Sequence, residues 1–180
     1  LECTSIAGIG KDLKVIVKVA DLTSAVFENA LHYKPPVLDQ VMGPGAALAN
    51  TQGGDIVYLI GSQFGDISIS GTQIVVTYGK TGTEYTATNC RVEASHTKVQ
   101  CLTVPGTGRG LQWQIYIATQ ASNLLNANTS YSPPMISYFG GSGSTGADCG
   151  GYQLVYIYGT NFVNPVVVTS FATLALHPST

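Results

Sequence analysis

Apolar and polar residues alternate along several short stretches of this chain, with the period of two that gives a β-strand one buried face. The clearest case is Leu111, Trp113, Ile115 and Ile117, with Gln112, Gln114 and Tyr116 on the opposite side. Leu13, Val15, Val17 and Val19 repeat the pattern, with Lys14, Ile16 and Lys18 opposite, and predict a second buried sheet face. Lys98–Leu102 alternates as well and places Val99 and Cys101 on one side. Asp55–Ile60, bounded by Gly53-Gly54 and Gly61, is a continuous apolar run, and Gln73–Tyr78 is another. Such runs suit strands in a sandwich.

Val, Ile, Thr and Tyr dominate these stretches, and β-branched residues fit a pleated surface better than a helix. Ala118–Asn128 is the one stretch with some helical character, but Asn123, Asn126 and Asn128 oppose it. A final strand after a turn is expected there. Pro105–Gly108 supplies a fixed φ and two permissive positions just before the Leu111 strand. Gly61 and Gly65 flank Phe64, so the chain turns sharply while Phe64 plugs the core.

The pattern recurs along the chain. Cys3–Leu13 matches Cys101–Leu111, Leu31–Pro36 matches Thr129–Pro134, and Gly61–Phe64 matches Gly159–Phe162, all at an offset of 98 residues. The pair Gly53-Gly54 is matched to Gly150-Gly151 at an offset of 97, which implies one added residue before Gly159. This period predicts three parts: residues 1–36 as the C-terminal part of a preceding module, 37–134 as a complete module, and 135–180 as the N-terminal part of a following one. A partial module cannot bury its apolar face alone. Further chain at both ends, or neighbouring chains, is expected to complete the partial units. Pro35-Pro36 and Pro133-Pro134 fall at the two junctions, where they lack amide donors and favour extended backbone. They are expected to act as short, stiff connectors that hold a defined angle.

The order of motifs resembles the IPT/TIG family. It comprises Pro35-Pro36, Gly43-Pro44-Gly45, Gly53-Gly54, the strand Asp55–Ile60, Gly61–Gly65, Cys90 and Cys101, Pro105–Gly108, the strand Leu111–Ala118 and Tyr131–Pro134. The third copy departs from it, with Phe162-Val163 where Phe64-Gly65 stood and with a dissimilar tail from Val166. The resemblance implies an all-β chain of tandem immunoglobulin-like sandwich modules. Such modules occur in receptor ectodomains, in large cell-surface proteins, in some polysaccharide-active enzymes and in certain transcription factors.

Composition narrows the function classes. Apolar residues make up 44% of the chain, but charged ones only 10%, with a net charge of −2. A basic patch able to neutralise phosphates is lacking, which argues against nucleic acid as a partner. No apolar run is long enough to span a bilayer as a helix. The chain begins at Leu1 without a recognisable signal peptide, which is read as removed or lying upstream.

The four cysteines, Cys3, Cys90, Cys101 and Cys149, form no CxxC pair and have no histidine near them, so a zinc site is not expected. Cys90 and Cys101 flank a short polar stretch that can fold back as a hairpin. A disulfide there implies an oxidising compartment, with two buried thiols as the alternative. By analogy, Cys3 is a half-cystine whose partner belongs to the missing part of its own unit. Cys149, placed where the previous copy has Gln52, has no such analogue. It pairs within its unit, with another module or chain, or stays a buried thiol.

His32, His96 and His177 lie near no nucleophile motif, and Asp39, Asp55, Asp66, Glu84 and Glu93 are scattered. The glycine-rich segments lack a following Lys-Ser/Thr, and carboxylates do not cluster for calcium. The expectation is therefore a non-enzyme without cofactor or metal. Asn128-Thr129-Ser130 is an N-glycosylation sequon. Together these features predict an extracellular structural segment of a stalk or filament, whose partners are neighbouring modules of the same chain or identical chains, with attached glycans. A receptor or adhesin segment binding a protein or glycan is the alternative, and an accessory module of a polysaccharide-active enzyme comes third.

Overall fold

A computed structural model of the chain describes residues 2–162. His177 and the tail from Val166, with the C-terminal part of the predicted following module, lie outside the described residues. The chain divides into two compact units, Leu1–Ser132 and Pro133–Thr180, and each is described by itself.

Fifteen strands and a single helical turn account for nearly all the regular structure among the described residues. The first segment holds β1 (Leu13–Val15), β2 (Lys18–Val19), β3 (Leu22–Thr23) and β4 (Phe27–Leu31). The central stretch holds β5 (Val37–Met42), α1 (Pro44–Ala47), β6 (Ile56–Ser62), β7 (Ile74–Gly79), β8 (Tyr85–Thr86) and β9 (Thr88–Ala94). It continues with β10 (Lys98–Leu102), β11 (Arg109–Ile117), β12 (Gln120–Ala121) and β13 (Leu125–Ser130). The second unit contributes β14 (Met135–Gly140) and β15 (Tyr156–Thr160).

The central strands form an antiparallel sandwich. One sheet has the order β5-β6-β10-β9; the other has the order β12-β11-β7-β8, with β13 also paired to β11. The alternation read from the sequence decides which side chains point inward. Leu38, Val57, Leu59, Val99 and Cys101 on the first sheet meet Val76, Leu111, Trp113, Ile115 and Ile117 on the second, all at or below 3% exposure. Phe64 fills the end of this core and is fully buried. Ala118–Asn128 forms a turn followed by β12 and β13, as its composition predicted. The turn α1 starts at Gly43, whose φ of 105° suits a residue without a side chain, and Pro44 follows at its first positions.

Aromatic packing organises the second sheet. The rings of Tyr78 and Trp113 stack with centroids 4.1 Å apart and planes within 6°. Trp113 Nε1 donates to the buried Thr129 hydroxyl at 2.6 Å, so the indole keeps its hydrogen bond inside the core. Tyr131 Oη donates to the Val104 carbonyl at 2.6 Å. Tyr78 Oη accepts from the Val104 N–H at 2.9 Å and lies 2.6 Å from Tyr131 Oη. With the Tyr131 proton already committed to Val104, Tyr78 is the donor between the two hydroxyls. The result is a closed ring of three hydrogen bonds that satisfies both phenols.

The first segment departs from one expectation. Val15, Val17 and Val19 are 42%, 41% and 67% exposed, not buried. Their strand is also broken: β1 pairs with β4, and β2 pairs only with β3. The positions equivalent to these valines in the central sandwich are covered by the facing sheet. Among the described residues nothing plays that part for the first segment.

Truncating Trp113 removes the largest side chain of the core and leaves Thr129 without its donor. W113A is expected to cost about 3–5 kcal/mol of stability, measured as the shift of the urea unfolding midpoint.

Candidate assembly surfaces and junction

Local geometry recurs along the chain at an offset of 98. Tyr33 and Tyr131 each close the same loop. Tyr33 N–H donates to Gly10 and its hydroxyl to Ile6, at 2.9 and 2.7 Å; Tyr131 does the same to Gly108 and Val104, at 2.9 and 2.6 Å. The two rings lie flat over Gly8 and Gly106, where an added Cβ would sit 2.6 and 2.8 Å from the nearest ring atom. That contact explains the glycine in both Pro-Gly-Thr-Gly and its counterpart Ala-Gly-Ile-Gly: the tyrosine fits only over bare backbone. Further along, Ser24 N–H donates to Val17 O at 2.9 Å while Val17 N–H donates to Ser24 Oγ at 3.0 Å. Ser122 and Ile115 reproduce this pair at 2.8 and 3.1 Å.

The hairpin β14–β15 copies β5–β6 in the same way. Ile136 pairs with Gly159 and Tyr138 with Tyr158, across a register shift; Leu38 with Gly61 and Gln40 with Ile60 show the same shift. Gly43 and Gly141 share a φ of 105°.

The structure corrects the placement of the glycine pair. Gly53 N–H donates to Asn50 O at 2.8 Å, and Gly151 N–H to Asp148 O at 2.9 Å. Their φ values are 75° and 77°. Gly53 therefore corresponds to Gly151, the offset stays at 98, and no residue has been added. Gly54 corresponds to Tyr152, which takes a φ of 68° in place of 88°. The match to Gly150-Gly151 relied on residue type, but the turn is set by backbone angles that a tyrosine can also be held in. Cys149 accordingly stands at the position of Thr51, not Gln52.

The predicted site residues fall into separate places. Cys90 on β9 and Cys101 on β10 form a cross-strand disulfide, with Cα atoms 4.2 Å apart. Cys3 and Cys149 are exposed and unpaired among the described residues. Asn128 is exposed on β13, and its neighbours Thr129 and Ser130 are held by Trp113 and by the Ala47 carbonyl. Pro36 is buried, whereas Pro35, Pro133 and Pro134 are exposed.

Pro35-Pro36 lies inside one compact unit, Leu1–Ser132. Gln120 Nε2 donates to the Tyr33 carbonyl at 2.9 Å, and Ile9 packs against the central core. These contacts bind residues 2–36 to the central sandwich.

The charged residues clamp turns. Asp66 accepts from Ser68 N–H and from the Ser95 hydroxyl at 3.0 and 2.8 Å, and the Ser68 backbone bond is the largest cause holding its carboxyl at about 2. Burial pushes Glu84 up, but bonds from the Thr81 hydroxyl and N–H outweigh it and hold this carboxyl at about 2. Burial is also the main cause that raises Tyr78 and Tyr131 above the usual phenol range. His32 Nδ1 accepts from the Asp12 N–H, and His96 sits in the exposed turn between β9 and β10. Among the described residues no group of three or more potential metal ligands occurs, and no helix is long and apolar enough to cross a membrane.

Large apolar side chains stand exposed on the two outer segments. Val15, Val17, Val19, Leu22 and Phe27 do so on the first, and Ile136, Tyr138, Phe139, Tyr156 and Tyr158 on the last. Exposed patches of this kind mark interaction surfaces. Sequence reading assigned Val15, Val17 and Val19 to a buried face and made no assignment for the others. No family model matches the sequence, and none of the curated proteins matches it.

Two outcomes follow. G106A, which drives a methyl group into the Tyr131 ring, is expected to lower stability by about 1–3 kcal/mol in urea titration. Asp66 and Glu84 have folded-state values of about 2, below their ordinary 3.8 and 4.5. Their stabilisation is therefore complete above those ordinary values and is lost as pH falls through about 2. The urea midpoint should drop across that window, and D66N/E84Q should flatten the drop.

Proposed function

We propose that this chain is a non-catalytic structural segment of an extracellular stalk or filament, built from tandem immunoglobulin-like modules of the IPT/TIG type that meet head to tail. One observation carries the reading: the same tyrosine-over-glycine loops, serine clamps and hairpin registers recur at an offset of 98 in successive segments. A chain that repeats one supersecondary plan and leaves apolar faces open at both outer segments is suited to stacking. The order of motifs supports the IPT/TIG assignment. The Cys90–Cys101 disulfide supports an oxidising, extracellular setting, and the exposed Asn128 is open to a glycan.

A receptor or adhesin segment is the second reading. A shallow groove on the outer face of β7 and β11, lined by Thr72, Val75, Thr77, Tyr116 and Thr119, favours it.

Negative-stain and cryo-electron microscopy of the native assembly test the first reading. Fibres are expected, with an axial repeat of one module or a small multiple. The nine residues of β11 set the module length at about 30 Å at 3.3 Å per residue, before turns are added. A well-dispersed monomeric protein that binds one soluble partner or glycan through the β7–β11 groove would instead establish the second.

A further inference from the structure

Resting on that structural reading, we infer that the last segment of one chain and the first segment of a second copy combine into one composite sandwich. The central module supplies the template. There, β5 and β6 place Leu38, Val41 and Leu59 against Leu111, Trp113, Ile115 and Ile117 of β11. The last segment holds the counterparts of β5 and β6, with Ile136, Phe139 and Ile157 at the inward positions. The first segment holds the counterparts of β11 and β13, with Leu13, Val15, Val17 and Val19 inward.

Exposure separates the template from its halves. Leu38 and Val41 are 1% and 8% exposed, but Ile136 and Phe139 are 62% and 57%. Trp113, Ile115 and Ile117 are at or below 1%, but Val15, Val17 and Val19 lie between 41% and 67%. Each open face is thus the complement of the other, and a second copy brings both. Side-chain sizes differ from the template: Val15 stands at the position of Trp113, and Phe139 at the position of Val41.

Among the described residues the two segments together supply counterparts of β5, β6, β11, β12 and β13, and none of β7, β8, β9 or β10. β8 and β9 are edge strands of the central sheets, whereas β7 and β10 are inner ones. The composite is therefore a smaller sandwich, in which the counterparts of β5 and β6 face those of β11 and β13. One clamp is lost: Asn123 bonds both the N–H and the carbonyl of Leu38 at 2.9 Å, whereas Ala25 stands in its place in the first segment. The composite joint is accordingly weaker than the central core and reversible. Because each chain offers one face of each kind, the contact is heterologous and propagates as an open array.

Sedimentation velocity on the full 180-residue chain tests this inference. The unaltered chain is expected to form a concentration-dependent ladder of oligomers. V17D and F139D should each remain monomeric, since each spoils one face. An equimolar mixture of the two should form dimers and stop there, because only one intact pair of faces remains. V19K and I136K repeat the test at other positions, and the near-ultraviolet signal of Trp113 checks that the central sandwich is folded in every variant. A chain that stays monomeric, or a ladder untouched by all four substitutions, would overturn the inference. Native fibres formed from a chain that is monomeric in isolation would overturn only the second-copy assignment and leave the structural reading in place, with covalently continuous neighbours covering the faces.

Discussion

Each sheet of this protein has one apolar face, and that face must be covered by another sheet. In the central module the requirement is met from within. β11 lays Trp113, Ile115 and Ile117 against the inward side of β5, β6 and β10, and water is excluded from the layer between. Burying a large side chain of this kind contributes roughly 1.5–3 kcal/mol, so a few such residues outweigh most single polar contacts. Charge does little of this work, because the few carboxylates are spent on clamping turns, as Asp66 and Glu84 do.

The same requirement explains the behaviour of the outer segments. They carry the alternation of the central strands and many of their local hydrogen bonds, yet their apolar sides stand open. Local structure therefore forms without the cover. The tyrosine-over-glycine loop needs only Tyr33, Gly8 and the backbone of Ile6 and Gly10. It persists where the apolar side stands open because all of its partners lie within the first segment. The core cannot, because its partners come from strands far apart in the chain.

The proposed function follows from that division between local and long-range order. Under it, binding specificity lies in strand pattern, carried by the apolar faces that stand open on the first and last segments. On the proposed reading, the disulfide between β9 and β10 and the hydrogen-bonded ring of Tyr78, Tyr131 and Val104 keep the central module rigid. The outer faces are left to find partners.

The sequence by itself determined a good deal. Alternation marked β10 and β11 and their inward residues, because a pleated strand must alternate. The spacing of 98 marked which stretches would share a geometry, and the short polar span between Cys90 and Cys101 marked the disulfide. Tertiary structure alone decided the rest. It moved the partner of Gly53 from Gly150 to Gly151, because the turn is defined by backbone angles and not by residue type. It bound residues 2–36 to the central sandwich through Ile9 and Gln120, contacts that the Pro35-Pro36 pair did not reveal. It also left Val15, Val17 and Val19 exposed: a pattern states which side of a strand prefers burial, but only the neighbours in space decide whether that side is covered.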